Sequence, residues 1–256
     1  MKKKIELVMA ISLVIAAFFL GSQSAILVQN SHINTENISG SGTDAVPSTE
    51  RPGSSDQRSP SSSNLSIVID AGHGGIDPGK VGINDALEKD INLSLALKLR
   101  DKFKKDSIHI ILTRDTDTGL YSEGSTNKKA EDMQNRCKII TDISPVFTVS
   151  LHQNSYPSPE VHGAQVFYFG QSQDGKKLAE TIQSSLVKNV DPDNHRVAKA
   201  NESYYLLKKT PTPTVIVECG FLSNPTEADL LLTDDYQNQL IDAIYLGILE
   251  YLSETT

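Results

Sequence analysis

Apolar residues follow three different patterns along the 256-residue chain. Residues 7–20 form a nearly unbroken apolar run, residues 29–64 are mostly polar, and from Leu65 onward short apolar and polar blocks alternate. Short β-branched runs in this last part predict strands at 66–70, 108–112, 146–151, 164–169, 204–207 and 214–217. Apolar residues at helical spacing predict helices at 88–103, 130–142, 176–187 and 236–252. This alternation predicts one α/β domain over residues 65–256, a three-layer α/β/α sandwich around a mostly parallel twisted sheet.

The N-terminal segment, residues 1–28, has the pattern of an export signal. Lys2, Lys3 and Lys4 precede the apolar run, and small residues that suit a signal peptidase follow it. The alternative is an uncleaved anchor that contacts the membrane, because the apolar stretch extends to residue 28 and about 20 residues can span a bilayer. Both interpretations place the rest of the chain outside the cytoplasmic membrane. Residues 29–64 are then a flexible linker, since so polar a segment cannot bury enough apolar surface to fold.

Charge and cysteine content narrow the class of protein. The formal net charge is −8, which argues against nucleic acid as a partner, because phosphate binding needs concentrated Lys and Arg. The chain has only two cysteines, Cys137 and Cys219, whereas a secreted disulfide scaffold would have more. Both lie in apolar periodic segments, so we expect buried free thiols, with a single bridge as the alternative.

Three predicted strands lead into residues that bind metals or transfer protons. His73 follows the strand at 66–70, His152 follows the strand at 146–151, and Glu218 follows the strand at 214–217. Ligands of open α/β sheets bind at the carboxyl ends of the strands. Three such side chains at one edge of the sheet therefore predict a functional site there.

Glu88 adds a carboxylate to this group. On a helix it shares a face with Leu95 in the apolar stripe, where a carboxylate is costly unless it is paired or bound to a metal. The alternative is a capping box, with Asp85 as the N-cap and Glu88 at the N3 position. The two histidines favour the metal interpretation. His73, Glu88 and His152 match the two imidazoles and one carboxylate of a catalytic zinc site, whose fourth position is open to water.

Glu218 is the predicted proton carrier of the site. It lies at the end of an apolar strand, where partial burial would raise its pKa toward neutrality. The alternative is a structural ion pair between Glu218 and a basic residue such as Arg136.

Together these residues resemble the zinc-dependent N-acetylmuramoyl-L-alanine amidases. The similarity covers about residues 65–253 and includes the stretches IVIDAGHGGIDPG, LEKDINLSLALKL, VFTVSLHQN and TVIVECGFLSN. In that family the metal ligands are the His of the GHGG turn, the Glu of the EKD segment and the His of the S-L-H-x-N segment, which match His73, Glu88 and His152. The catalytic Glu of the family, in its V-E-x-x-F segment, matches Glu218.

The resemblance implies a reaction and a setting for it. Members hydrolyse the amide bond between the lactyl group of muramic acid and L-Ala of the peptidoglycan stem peptide, with Zn²⁺ as the cofactor, one ion per chain. A leader, a linker and a bare catalytic domain are similar to the germination-specific, CwlD-type amidases of spore-forming bacteria. That similarity implies a part in muramic δ-lactam formation in the spore cortex. Peptidoglycan is then the partner, and so minimal a domain also suggests an activating or recruiting envelope protein.

Two further residues are candidates for substrate binding. Asn154 follows His152 closely and is expected to orient substrate or a ligand, with stabilisation of a turn as the alternative. Arg136 is expected to meet a stem-peptide carboxylate, with an ion pair on the helix surface as the alternative.

Two other classes of protein fit the pattern less well. A two-metal exopeptidase of similar fold would have extra bridging Asp or Glu residues at strand ends, and the sequence contains one candidate set. A wall-binding protein without activity would lack Glu218 or a ligand, and none is missing.

Overall fold

The computed structural model describes residues 65–255 of the chain. The predicted export segment at 1–28 and the predicted linker at 29–64 lie outside the described residues. Between residues 65 and 255, no helix is long and apolar enough to cross a membrane.

The described residues form strands and helices in alternation. The strands are β1 (Leu65–Ala71), β2 (Ile108–Leu112), β3 (Phe147–Asn154), β4 (Gln165–Tyr168), β5 (Lys199–Ala200) and β6 (Thr214–Phe221). The helices are α1 (Glu88–Lys102), α2 (Lys128–Ile143), α3 (Gln173–Asn189), α4 (Tyr205–Lys209), α5 (Pro225–Leu230) and α6 (Asp234–Thr255), and a 3₁₀ turn (Phe103–Lys105) follows α1.

The described strands form one six-stranded sheet in the order β2-β1-β3-β6-β4-β5. Strands β2, β1, β3 and β6 run parallel, β4 runs antiparallel to β6, and β5 pairs in parallel with β4. The predicted α/β class with a mostly parallel sheet is therefore confirmed. Because β1, β3 and β6 are parallel neighbours, their carboxyl ends meet at one edge of the sheet.

Helices cover both faces of this sheet. The larger core lies under α1, α3 and α6, and it includes Ile67, Val149 and Val217 from the three central strands. Helices α2 and α4 cover the opposite face, where Val68 and Ile216 lie in smaller apolar clusters. Burial on both faces explains the continuous apolar runs in the sequence, since parallel strands are shielded from water on each side.

The strand predicted at 204–207 is wrong, because this segment enters the short helix α4. The side chain of Asn201 accepts the backbone N–H groups of Ser203 and Tyr204, which turns the chain into the helix. Leu206 and Leu207 are both buried on the same face of the sheet. Adjacent residues of a strand would point to opposite faces, so this burial needs a helical turn. Strand β5 was not predicted, since both of its residues are exposed and give no apolar signal.

Candidate active site

Strand register brings the predicted site residues to one edge and one face of the sheet. His152 and Glu218 are direct neighbours across β3 and β6, and Ala71, two residues before His73, pairs with Leu151. Side chains alternate along a strand, and Leu151 belongs to the larger core. His152 and Glu218 therefore lie on the opposite face, which α2 and α4 cover.

His73, Glu88 and His152 form one compact group of donor atoms. Glu88 Oε1 lies 3.2 Å from His73 Nε2 and 2.9 Å from His152 Nδ1. One nitrogen from each histidine and one carboxylate oxygen all lie within 4.8 Å of one another. Tetrahedral zinc, with bonds of about 2.0–2.1 Å, needs neighbouring ligand atoms roughly 3.3 Å apart. The group therefore has the composition and nearly the spacing of a metal site.

Glu88 is held in place by backbone groups. Its Oε2 accepts the N–H of Lys80 at 2.7 Å, and its Oε1 accepts the N–H of Gln153 at 3.1 Å. The alternative capping box is wrong, because the N-cap is Leu87 with no side-chain cap, and Asp85 has a left-handed φ of 64°. Burial raises the pKa of Glu88, but hydrogen bonds and charge from the two histidines outweigh it and hold the pKa well below its usual range. Glu88 is thus an ionised donor.

The turn that carries His73 brings its backbone close to His152. His73 itself has a left-handed φ of 62°, and its Nδ1 lies 2.8 Å from Asp77 Oδ2. A Cβ at Gly72 would clash with the ring of His152, so only glycine fits beside that ring. Burial lowers the pKa of His73, but Glu88 and Asp77 outweigh it and raise the pKa to about 9. A carboxylate on the second ring nitrogen is the usual way to orient a metal-binding histidine.

Glu218 lies beside this group with one oxygen free. Glu218 is 8% exposed, and Tyr204 Oη lies 3.5 Å from its Oε1. Among the described residues, Oε2 has no hydrogen-bond partner. Burial is the largest effect on Glu218 and raises its pKa, while the charge of His152 lowers it less. A buried carboxylate with a raised pKa and a free oxygen can accept and return a proton.

The alternative ion pair between Glu218 and Arg136 is wrong. Arg136 is 1% exposed and donates instead to Asp70 Oδ1 at 2.6 Å and to Asp132 Oδ2 at 2.6 Å. The alternative role for Arg136 was an ion pair on the helix surface. Its ion pairs with Asp70 and Asp132 are instead buried. Arg136 also donates to the carbonyl oxygens of Ala71 and His73. It fastens the His73 turn to α2.

Two residues at the site were missed from the sequence. Arg114, which is 4% exposed, donates to the carbonyls of Ala71 and Gly72 and so fixes the same turn as Arg136. Tyr204 lies where the sequence predicts a strand and contacts Glu218. Burial and the neighbouring Glu218 raise the pKa of Tyr204 to about 12, so its hydroxyl stays a donor. Arg114 lies two residues after β2, and a buried role for an arginine has no local sequence signal.

The remaining candidates have local partners. The Asn154 side-chain oxygen accepts the N–H of Ser155 at 2.7 Å, and its carbonyl accepts the N–H of Leu222, contacts of the turn-stabilising kind. Cys137 and Cys219 are free and buried, as expected, and they lie in different apolar clusters.

The fold and the site define a class of hydrolase: an α/β enzyme with a possible His–Glu–His metal site beside a buried carboxylate. The model of the N-acetylmuramoyl-L-alanine amidase family (Amidase_3) matches residues 67–250, and the chain belongs to that family. The family resemblance stated from the sequence is confirmed, and with it amidase activity on peptidoglycan.

Individual relatives point to one type within the family. A germination-specific N-acetylmuramoyl-L-alanine amidase of Bacillus subtilis (strain 168) is 40% identical over 191 residues, 73% of this chain and 80% of the relative. The CwlD amidase of Clostridioides difficile, solved in complex with the GerS lipoprotein, matches with a TM-score of 0.73 and 43% identity, over 75% of this chain and 100% of that one. The catalytic domain of the amidase CwlV from Bacillus (Paenibacillus) polymyxa var. colistinus matches with a TM-score of 0.63 and 31% identity, over 74% and 98%. The similarity to the germination-specific, CwlD type is thus also confirmed.

Proposed function

We propose that this amidase is zinc-dependent and cleaves the bond between the lactyl group of muramic acid and L-Ala of the stem peptide. The observation that carries the proposal is the convergence of His73, Glu88 and His152 beside the free Oε2 of Glu218. One group of donors is present among the described residues, which favours one ion per chain over a two-metal site.

His73, Glu88 and His152 would hold the zinc ion. Two imidazole nitrogens and one carboxylate oxygen are the donor types that catalytic zinc takes, and the buried Glu88 provides the negative charge. Asp77 on His73 Nδ1 supports the fit, because it directs the other ring nitrogen, Nε2, toward Glu88. When bound, zinc would polarise the amide carbonyl and lower the pKa of a water molecule.

Glu218 would carry the proton through the reaction. Its Oε2 is free to accept the proton of the attacking water, while Tyr204 holds Oε1. The same carboxyl would then give this proton to the departing amine of L-Ala, which turns a poor leaving group into a neutral amine. The raised pKa of Glu218 suits both steps, because burial disfavours the charged carboxylate and so favours uptake of the proton that is later donated.

Digestion of purified peptidoglycan followed by mass spectrometry tests the reaction. We expect intact glycan strands with free lactyl carboxyl groups, together with free peptides that begin with L-Ala. Fragments cut within the peptide or the glycan would contradict the proposal.

Elemental analysis of protein purified without added metal tests the metal. We expect one zinc per chain. Two metals per chain would contradict the proposal, and so would zinc retained after His73, Glu88 and His152 are all changed to Ala.

We further propose that the chain acts in the spore cortex, where removal of the stem peptide precedes muramic δ-lactam formation and germination. The germination-specific relative supports this setting. Analysis of cortex fragments from a strain without the gene should find no δ-lactam, and normal δ-lactam content would contradict the role.

Asn154 stays a candidate for orienting the substrate. If it has this role, Asn154→Ala should raise KM. An unchanged KM would mean that Asn154 only stabilises the turn.

Export and a partner complete the proposal. The pattern of residues 1–28 supports export to the cell envelope through a cleaved signal peptide or an anchor. A reporter that works only outside the membrane should be active when it is fused to that segment, and a stable but silent fusion would contradict export.

The complex of the similar CwlD amidase with a lipoprotein supports an envelope partner for this chain. Recovery of an envelope protein with the full chain from sporulating cells tests this, and full activity on intact sacculi without one would contradict it.

A further inference from the structure

The cleft at the site continues past the metal-binding group into the space between α2 and α4. It has a volume of about 390 Å³, and Met133, Leu206 and Ile216 give it an apolar wall. Four carboxyl groups also line it, contributed by Asp70, Asp77, Asp132 and Glu218. A stem peptide carries carboxylates of its own, and none of these four groups offers a positive charge to pair with one. A cation that reaches the cleft is therefore needed to bind one.

Lys129 is the cation that can meet a substrate there. Among the described residues that line the cleft, Lys129 and Arg136 are the only lysine or arginine. Arg136 is 1% exposed and committed to Asp70 and Asp132, which removes it from the role expected for it. Lys129 lies two helical turns earlier on the same face of α2, and its side chain is 68% exposed at the mouth of the cleft.

Asp77 holds the Lys129 ammonium close to the reacting group. Lys129 Nζ lies 2.7 Å from Asp77 Oδ1, and the other oxygen of Asp77 lies 2.8 Å from His73 Nδ1. An ammonium has three N–H donors, so the contact with Asp77 leaves two for another acceptor. A lysine loses much rotamer freedom on binding, and the ion pair has already removed part of that freedom. One carboxylate thus separates the free donors from the ring of His73.

We propose that Lys129 binds a carboxylate of the stem peptide near the scissile amide and so selects substrates whose stem carboxylates are free. The apolar wall of Met133 and Leu206 lies beside the aliphatic part of the peptide, and Lys129 fixes its charged end. The contact forms in the ground state and persists during the reaction, so it lowers KM and leaves kcat nearly unchanged.

A substrate–variant cycle on the zinc-loaded full chain tests this role. The substrates are a soluble muramyl peptide with free stem carboxylates and the same peptide with those carboxylates converted to carboxamides. We expect the unaltered enzyme to have a KM about 1.5- to fivefold lower for the acid form, the range of an exposed ion pair. Lys129→Met should abolish that preference, and Lys129→Arg should retain most of it.

Lys138→Met is the matched control. Lys138 lies on the same helix, is 69% exposed and pairs with Asp142, but it does not line the cleft. This variant should keep the preference for free carboxylates. An unaltered enzyme without the preference, or a Lys129→Met enzyme that keeps it, would overturn the role of Lys129. So would loss of zinc from Lys129→Met with equal loss of activity on both substrates, since Lys129 would then act only through Asp77 and His73. The inference rests on the proposed reaction, and failure of the unaltered enzyme to cleave either peptide would instead contradict that reaction.

Discussion

The two faces of the sheet are built from different kinds of residue. Under α1, α3 and α6 the strands present apolar side chains such as Ile67, Val149 and Val217. Under α2 and α4 the same strands present Asp70, Ser150, His152 and Glu218, and buried ion pairs replace much of the apolar contact. Both faces therefore stabilise the domain, the first through apolar burial and the second through buried ion pairs that also fix the geometry of the site.

Among the substitutions considered, loss of Arg136 should have the largest effect on stability and on the site. Arg136→Met leaves Asp70, 1% exposed, as a buried charge without its partner and frees the carbonyls of the His73 turn. We expect the free energy of unfolding to fall by about 3–5 kcal/mol, together with weaker zinc binding. Chemical denaturation and metal titration measure the two effects.

Leu95→Ala is the matched change on the apolar face. Leu95 is fully buried in the larger core, and its truncation should cost about 2–5 kcal/mol through lost contacts and a cavity. Zinc affinity should be unaltered in this variant. Equal zinc affinities of the Arg136→Met and Leu95→Ala proteins would contradict the claim that the ion pairs of Arg136 fix the geometry of the site.

Acid should reduce the stability that Asp70 contributes on the polar face. Burial raises the pKa of Asp70, but Arg136 and hydrogen bonds from Ser150 and Thr113 outweigh it and lower the pKa to about 2, from an ordinary value of 3.8. Because the folded-state pKa is the lower one, this stabilisation is complete above about pH 4 and is lost as the pH falls through 2. The loss amounts to about 2 kcal/mol. Unfolding curves between pH 5 and pH 2 measure it.

Asp70→Asn should remove that part of the pH dependence, whereas Asp234→Asn, at an exposed carboxylate, should leave it unaltered. Equal slopes of stability against pH in the Asp70 variant and the unaltered protein would contradict the assignment.

Tyr204→Phe should have the smallest effect. The ring keeps its T-shaped packing on Phe167, with centroids 5.6 Å apart, and only the hydroxyl beside Glu218 is lost. The loss of one such hydrogen bond is worth about 1 kcal/mol, so kcat should fall roughly fivefold with zinc content unaltered. Steady-state kinetics give the result. An unaltered kcat would exclude a role for the hydroxyl, and loss of zinc would make that role structural.

The sequence pattern predicts the residues of the apolar face, but it predicts only some of the residues that form the site on the polar face. Strand ends identified His73, His152 and Glu218, because parallel strands bring their carboxyl ends together whatever the details of packing. Glu88 stood out because a carboxylate in an apolar stripe needs a partner. The alternative N-cap at Asp85 is wrong because the chain makes a left-handed bend there before the helix begins at Glu88.

The missed features depend on contacts distant in sequence. Arg136 pairs with Asp70, 66 residues away, and Arg114 reaches Gly72, 42 residues away. No periodicity or motif spacing encodes which buried acceptor an arginine meets. Tyr204 begins the segment 204–207 that the sequence predicts as a strand, and only the packing of α4 on the sheet reveals its contact with Glu218.

The most direct test of the account is the comparison of Glu218→Gln with His152→Ala. Gln keeps the shape of Glu218 but cannot accept the proton, so turnover should fall by about 10²–10⁴-fold while zinc content and melting temperature stay near those of the unaltered enzyme. His152→Ala should lose zinc and activity together. Near-normal turnover by Glu218→Gln would place the base elsewhere, and loss of its zinc would make Glu218 a ligand; either result would contradict the roles assigned to the site.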